Sequence, residues 1–241
     1  LPIGLFGEFY NQNMTFFLIN NNILKNIKSV FHSCGLNIDR VILKSFADGV
    51  NFLLKNTNNK NFTTITLEDK KINISLFKNK SYVLTQDLDF GIDMIVKDIS
   101  KLCSLKTDEA IYLLKEIDIK TVLESDKESY LDKSFFLNSP YRKIKHQLIL
   151  DIIVARLDEL IELSYEKNTN LNYFRKTNNV IHIVIEDPKY FKNLEFALKK
   201  NKLLNHLSIF GNKIEDSYLL SLNGAAELIG KGWEKEAIPV I

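Results

Sequence analysis

Phe62-Thr-Thr-Ile-Thr-Leu-Glu-Asp-Lys-Lys-Ile-Asn-Ile-Ser-Leu-Phe77 is the stretch that decides the fold. Two runs rich in β-branched and aromatic residues, 62–67 and 72–77, meet across the polar corner Glu68 to Lys71, which is the pattern of a β-hairpin. Residues 81–88 follow closely enough to add a third strand, and Gly91 breaks the pattern before a helix expected over about 92–103. Much later, Val180-Ile-His-Ile-Val-Ile185 is a near-continuous apolar run, the signature of a strand covered on both faces of the same sheet.

Upstream of the hairpin, the Asn-rich run 55–61 is a strong turn signal, and residues 45–54 read as a helix leading into it. Before that helix, 14–19 and 39–43 read as short strands. Between them Asn20-Asn-Asn22 supplies an N-cap, apolar residues at 23, 24, 27, 30, 31 and 34 share one helical face, and Gly35 closes the helix. Downstream, a second helix is expected from Thr107, then a weakly patterned stretch over 120–140 whose central polar run 124–129 reads as a surface loop, and a long, largely buried helix over 141–167. A helix over 190–200, a short strand at 207–210 and a last helix over 218–229 complete a mixed α/β order, which fits a sheet covered on both faces.

Composition narrows the function. At 241 residues, 45% hydrophobic and 26% charged, the chain is long enough to bury a large core. A net charge of +2, with no basic stripe interleaved with aromatics, argues against nucleic acid as a partner. Cys34 and Cys103 lie far apart without metal-ligand spacing, so both are expected to be inert core thiols and no metal site is expected. No apolar run approaches the roughly 20 residues that span a bilayer. The chain opens on Leu1 and a loop-like Pro2-Ile-Gly-Leu-Phe-Gly7, which reads as a fragment of a longer protein.

This order resembles FtsA, the actin-like bacterial division protein that anchors the tubulin-like FtsZ ring to the membrane. The residues that carry the resemblance are Pro2-Ile-Gly-Leu-Phe-Gly7, Cys34-Gly-Leu36, Asp39-Arg-Val-Ile-Leu43, Gly91 with Val96-Lys-Asp-Ile99, and the helix-rich run 141–167. The resemblance implies an α/β, actin-like (ribonuclease H-like) ATPase fold: a partial subdomain 1C over 1–44, an interdomain helix over 45–55, and the second lobe, 2A and 2B, over 56–241. It further implies an FtsZ tail peptide and other copies of the chain as partners. The place of work would be cytoplasmic, at the inner face of the cell membrane at the division site, with the membrane reached only through a segment outside this chain.

The departures from the family fall on its nucleotide site, where ATP and Mg²⁺ are bound through an Asp-Ile-Gly-Gly-Gly-Thr corner that offers bare backbone to phosphates. The matching positions here are Thr66, Leu67, Glu68, Asp69, Lys70 and Lys71. The adenosine loop, Gly-Gly in the family, reads Glu186-Asp187-Pro188. Lys44 stands where relatives place the side chain that orients the attacking water, and Gly91 is the one glycine retained nearby. The expectation is therefore a scaffold without catalytic residues and without ATP. The alternatives are an ATP-binding, filament-forming ATPase or sugar-kinase-like enzyme, and a pilus-assembly adaptor, all of the same fold. Arg142, Lys143 and Lys145, read as the start of the long helix, are the partner-binding candidates, since an acidic tail would pair with them.

Overall fold

The computed structural model describes residues 6–9, 15–124, 126, 128–175, 180–186, 192–193, 195–198 and 217–232. It divides into two compact units, 1–41 and 42–241. In the first unit lies helix α1, Asn21–Ser33, capped by the Asn20 side chain, which accepts from the Asn22 N–H at 2.9 Å, and closed by Gly35 at φ +75°. Its apolar stripe of Ile23, Ile27, Val30 and Phe31 is exposed. No strand forms at 15–19 or 39–43, contrary to the strand-helix-strand reading of this region: an apolar run becomes a strand only in a ladder with a neighbouring strand, and among the described residues no strand pairing includes these segments. Met14 and residues 1–5 lie outside the described residues. Cys34 is exposed, which corrects the core expectation for one of the two thiols, while Cys103 is buried.

The second unit begins with α2, Lys44–Lys55, and then β1 (Phe62–Leu67), β2 (Ile72–Lys78) and β3 (Ser81–Leu88). Helices α3 (Asp93–Cys103), α4 (Thr107–Glu116) and α5 (Ile119–Glu124) follow, then α6 (His146–Ile161), which continues as a π turn over Glu162–Glu166, and the single turn α7 (Asn172–Arg175). Strand β4 (Val180–Ile185), the turn α8 (Glu195–Leu198) and α9 (Ser217–Lys231) close the order. Among the described residues, the four strands form one sheet in the order β3-β2-β1-β4, with β1, β2 and β3 antiparallel and β4 parallel to β1. The four strands of this sheet match the segments expected from the sequence, 62–67, 72–77, 81–88 and 180–185, to within a residue. The weakly patterned stretch 120–140 carries the end of α5 and a 3₁₀ turn at Lys133–Phe135, on either side of the polar run read as a loop, and the long helix starts at His146 instead of 141, leaving 141–144 without helix. The expected strand at 207–210 lies outside the described residues, as do residues 190, 191, 194, 199 and 200 of the helix expected over 190–200, of which α8 is the described helical part.

Alternation along the strands gives the sheet two unlike faces. One face presents Ile65 and Leu67 of β1, Ile72, Ile74 and Leu76 of β2, and Ile181 and Ile185 of β4. These residues merge with α3, α4 and α6 into the main core. The other face, under α2, is aromatic at one end and polar at the other. Phe62 and Phe77 stack with centroids 4.5 Å apart and pack with Phe52 of α2, whereas Thr64, Thr66, Asn73, Ser75, Thr85 and Asp87 follow toward the corner. Glycine permits the close approach of α2 on both sides. A Cβ at Gly49 would meet the Phe77 ring at 2.0 Å, and one at Gly224 of α9 would sit 1.8 Å from the Ala47 carbonyl oxygen.

Candidate functional site

In open α/β sheets, ligands favour the carboxyl ends of the parallel strands. Here those are the ends of β1 and β4, and they gather most of the residues singled out from the sequence. Thr66 and Leu67 are still within β1 and buried, so the corner proper is Glu68 to Lys71. The Glu68 N–H donates to the Lys71 carbonyl at 3.0 Å, and the Glu186 N–H extends the parallel ladder by donating to the Leu67 carbonyl at 3.0 Å. Because Leu67 stands opposite Ile185, the next residues of the two strands, Glu68 and Glu186, are neighbours about 5 Å apart. Asp187 and Pro188 lie outside the described residues.

The corner is clamped onto the start of α3. The Glu68 and Asp69 carbonyls accept from the Ile92 and Asp93 N–H groups at 3.0 and 2.9 Å, and the next two N–H groups, of Met94 and Ile95, donate to Gly91 and Ile92 carbonyls at 3.1 and 2.9 Å. A helix start usually offers its first N–H groups to an anion. All four are already taken here. Gly91 is what lets the corner close so tightly, since a Cβ there would lie 2.3 Å from the Glu68 carbonyl oxygen.

Charged side chains fill the rest of the site. Lys71 pairs with Glu68 at 3.5 Å and with Asp87 of β3 at 3.2 Å. Lys44, the first residue of α2, where the helix dipole disfavours a cation, pairs with buried Asp48 at 3.1 Å; Asp48 also accepts from the Ser221 hydroxyl of α9 at 2.5 Å. Burial pushes the Glu68 carboxyl above the usual range and Glu186 adds to this, while Lys71 and Lys44 pull it back. Burial would lower the Lys71 ammonium pKa, but Asp87 and Glu68 hold it above its ordinary value. The Glu186 charge thus opposes ionisation of Glu68, and an incoming polyphosphate would meet the same negative field.

A hydrogen-bonded run ties this cluster to α2. The Ser45 and Tyr82 hydroxyls lie 2.5 Å apart, Tyr82 reaches Ser75 at 3.2 Å, and Ser75 lies 3.2 Å from Thr85. Asn73 donates to Thr85 at 3.1 Å and to Asp87 at 2.7 Å. Asp87 was not singled out from the sequence. The signal was available, because alternation puts Asn73 and Asp87 on the same face as Thr66, but only once the register of β2 on β3 is known.

The partner-binding candidates stand elsewhere. Arg142 and Lys143 are exposed on the segment before α6, which is fixed at Ile144 to His146 by backbone bonds with 129–131. Lys145 is not available in the same way: it pairs with Glu128 at 2.8 Å, which raises its pKa. Beside them Lys133 lies 5.6 Å above the Tyr141 ring, and Leu137 and Tyr141 are exposed, so the patch is basic and partly apolar. Among the described residues, no group of three or more acidic, histidine or cysteine side chains is placed to hold a metal ion, and no helix is long and apolar enough to cross a membrane.

No protein-family model matches the chain. It is similar to the cell division protein FtsA of Bacillus subtilis (strain 168), with 24% identity over 148 residues, 61% of this chain and 34% of that protein. It is similar also to the cell division protein FtsA of Neisseria meningitidis serogroup B, with 20% identity over 159 residues, 66% of this chain and 38% of that protein. The match thus spans about a third of the length of each curated relative. Among solved structures, MreB5 of Spiroplasma citri bound to AMPPNP superposes with a TM-score of 0.58 at 13% identity, covering 87% of this chain and 65% of that one. The chain has the actin-like ATPase fold.

Proposed function

We propose that this chain is part of an FtsA-like division scaffold, which links an FtsZ ring to the inner face of the cell membrane through protein contacts and no longer takes ATP. The observation that carries the nucleotide-independent part is the start of α3, where the N–H groups of Ile92 to Ile95 are bonded to backbone carbonyls of the corner and of Gly91 and Ile92 just before the helix. A phosphate would have to break those bonds and enter a site where Glu68, Asp87 and Glu186 outnumber the ammonium groups of Lys44 and Lys71. The residues present do not fit Mg-ATP. The likeness to the two FtsA proteins supports the scaffold role, with the domain division 1–44, 45–55 and 56–241, self-association, and a membrane attachment outside these residues.

Calorimetry with Mg-ATP, on the chain and on the full-length protein, is expected to show no binding tighter than about 10 μM, roughly −7 kcal/mol. A dissociation constant below that would overturn the reading and favour the ATPase alternative.

The partner surface in this proposal is the patch of Arg142 and Lys143, which suits an extended acidic tail such as that of FtsZ. Fluorescence anisotropy with a synthetic FtsZ tail peptide is expected to give saturable binding that weakens as salt rises. Arg142→Glu with Lys143→Glu should weaken it at least tenfold, about 1.4 kcal/mol, whereas Lys145→Gln should matter less because Glu128 already engages that ammonium. Unchanged affinity and salt dependence in the double variant would exclude these residues.

A further inference from the structure

We propose that residues 131–144 are a preformed recognition loop and that Glu109 of α4 is the positioning residue that fixes its shape for an extended acidic peptide. The inference rests on the tail-binding role given above to Arg142 and Lys143 and adds what holds them in place. The ends of the loop are tied together. The Leu131 N–H donates to the Ile144 carbonyl at 2.8 Å and the His146 N–H to the Ser129 carbonyl at 3.0 Å, and Leu131 and Ile144 are both buried. Closed loops of this kind, packed by their own side chains, are frequently functional. On the inner side, the Phe135 and Tyr112 ring centroids lie 5.9 Å apart, which seats the loop on α4, and Phe136 meets Tyr141 edge-on at 5.2 Å. Lys133, Leu137, Tyr141, Arg142 and Lys143 are exposed, and the loop holds a single acid, Asp132.

Between the two aromatic contacts the loop is held by Glu109. Its buried carboxylate accepts from the Asn138 and Ser139 N–H groups at 2.6 and 2.9 Å and from the Ser139 hydroxyl at 2.5 Å, and only one of its four bonds, from the Lys106 N–H at 3.0 Å, serves α4 itself. A helix cap does not require burial, since a carboxylate in an exposed first turn closes a capping box equally well. A charge taken out of water is tolerated only when its acceptor sites are filled, and three of the four donors come from this loop. The carboxylate therefore sets a directional condition. Two successive N–H groups and a hydroxyl must converge on it, which holds residues 138–139 in one backbone arrangement, and Pro140 restricts the next position by fixing its own φ. Leu137 and Tyr141 stand on either side of 138–140, so the same condition sets the spacing of these apolar groups and of the cations that follow. A loop ordered before its partner arrives need not be ordered during binding.

The test is fluorescence anisotropy of the 241-residue chain with a synthetic FtsZ tail peptide, at a temperature where circular dichroism shows the variants folded. Glu109→Ala is expected to weaken binding about tenfold, as for a binding-competent loop populated about a tenth of the time. Ser139→Ala, which removes one of the four donors, should weaken it about threefold, and Ser139→Thr, which keeps the hydroxyl, should restore it. Ile74→Val, a small core change in β2 that lowers stability, should bind as the parent does. Hydrogen exchange should show the Asn138 and Ser139 amides losing protection in Glu109→Ala while those of Leu131 and His146 keep it. Should Glu109→Ala not fold, the Ser139 pair decides. A parent that binds the peptide with Ser139→Ala binding as tightly, or Ile74→Val weakening binding as much as Ser139→Ala, would overturn this inference and leave the tail reading standing. A parent that does not bind the peptide would overturn the tail reading itself, and the positioning role with it.

Discussion

Gly224→Ala is expected to lower the melting temperature by roughly 5–10 °C and to detach α9 from α2, while Gly230→Ala, six residues on in the same helix, raises it slightly. Alanine is the better helix former at both places, by up to about 1 kcal/mol. At Gly230 nothing lies within 4 Å of an added Cβ, so only that gain remains, reduced by the nearness of the helix end. At Gly224 the added Cβ would sit 1.8 Å from the Ala47 carbonyl oxygen and 2.6 Å from its carbon. Backbone atoms cannot rotate aside, so the helices must separate by more than an ångström. The separation would also stretch the 2.5 Å bond from Ser221 to Asp48. Overpacking commonly costs about 1–3 kcal/mol, and a clash with rigid backbone belongs at or above the top of that range. Circular dichroism melts of the two variants check the opposite signs; a neutral Gly224→Ala would mean that α9 is not held this close.

Glu109→Ala is expected to cost at least about 3 kcal/mol, because the buried Glu109 carboxylate is the acceptor for donors from two segments. It takes the Lys106 N–H at 3.0 Å, closing the start of α4, the Asn138 and Ser139 N–H groups at 2.6 and 2.9 Å, and the Ser139 hydroxyl at 2.5 Å. Burial alone would raise its pKa, but these donors, the Ser139 hydroxyl foremost, hold it down to about 2. Its contribution is thus present above the unfolded pKa near 4.5 and is lost as pH falls through about 2. Glu109→Gln keeps the shape but puts an NH₂ against a donor. Acid titration of stability should therefore be flatter between pH 4.5 and 2 in Glu109→Gln than in the parent, and equal slopes would contradict the assignment.

The two sides of this molecule were unequally legible from sequence. The sheet was legible because alternation over 62–67, 72–77 and 81–88 reports which side of each strand meets the core, and that is a local property. The strands expected at 14–19 and 39–43 failed for the complementary reason: strand formation needs a partner, and no local pattern states whether one exists. The start of α6 was read five residues early because Tyr141 and Ile144 continue the helical spacing, yet residues 129–131 capture that backbone instead. The role of Glu109 was hidden within an ordinary helix-cap pattern, since its other donors lie 29 and 30 residues away. In the site, residue identities were enough to raise the question of lost phosphate binding. The clamp of the corner on α3 and the Glu68–Glu186 pairing follow only from the order of strands in space.

The parallel pairing of β4 with β1 also bears on how the chain reaches this structure. Strands β1, β2 and β3 are joined by tight turns and can pair as soon as they are made, whereas β4 arrives only after the segment containing α3 to α7 has been traversed. Closing so long a loop is the slow kind of contact, set by chain entropy. Until it closes, β1 presents a row of unpaired backbone groups flanked by Phe62, Ile65 and Leu67, all fully buried in the finished protein. The nascent hairpin is therefore an open template for β4 of a neighbouring chain as well as of its own, and the interval before β4 docks is when this protein is most exposed to misassembly.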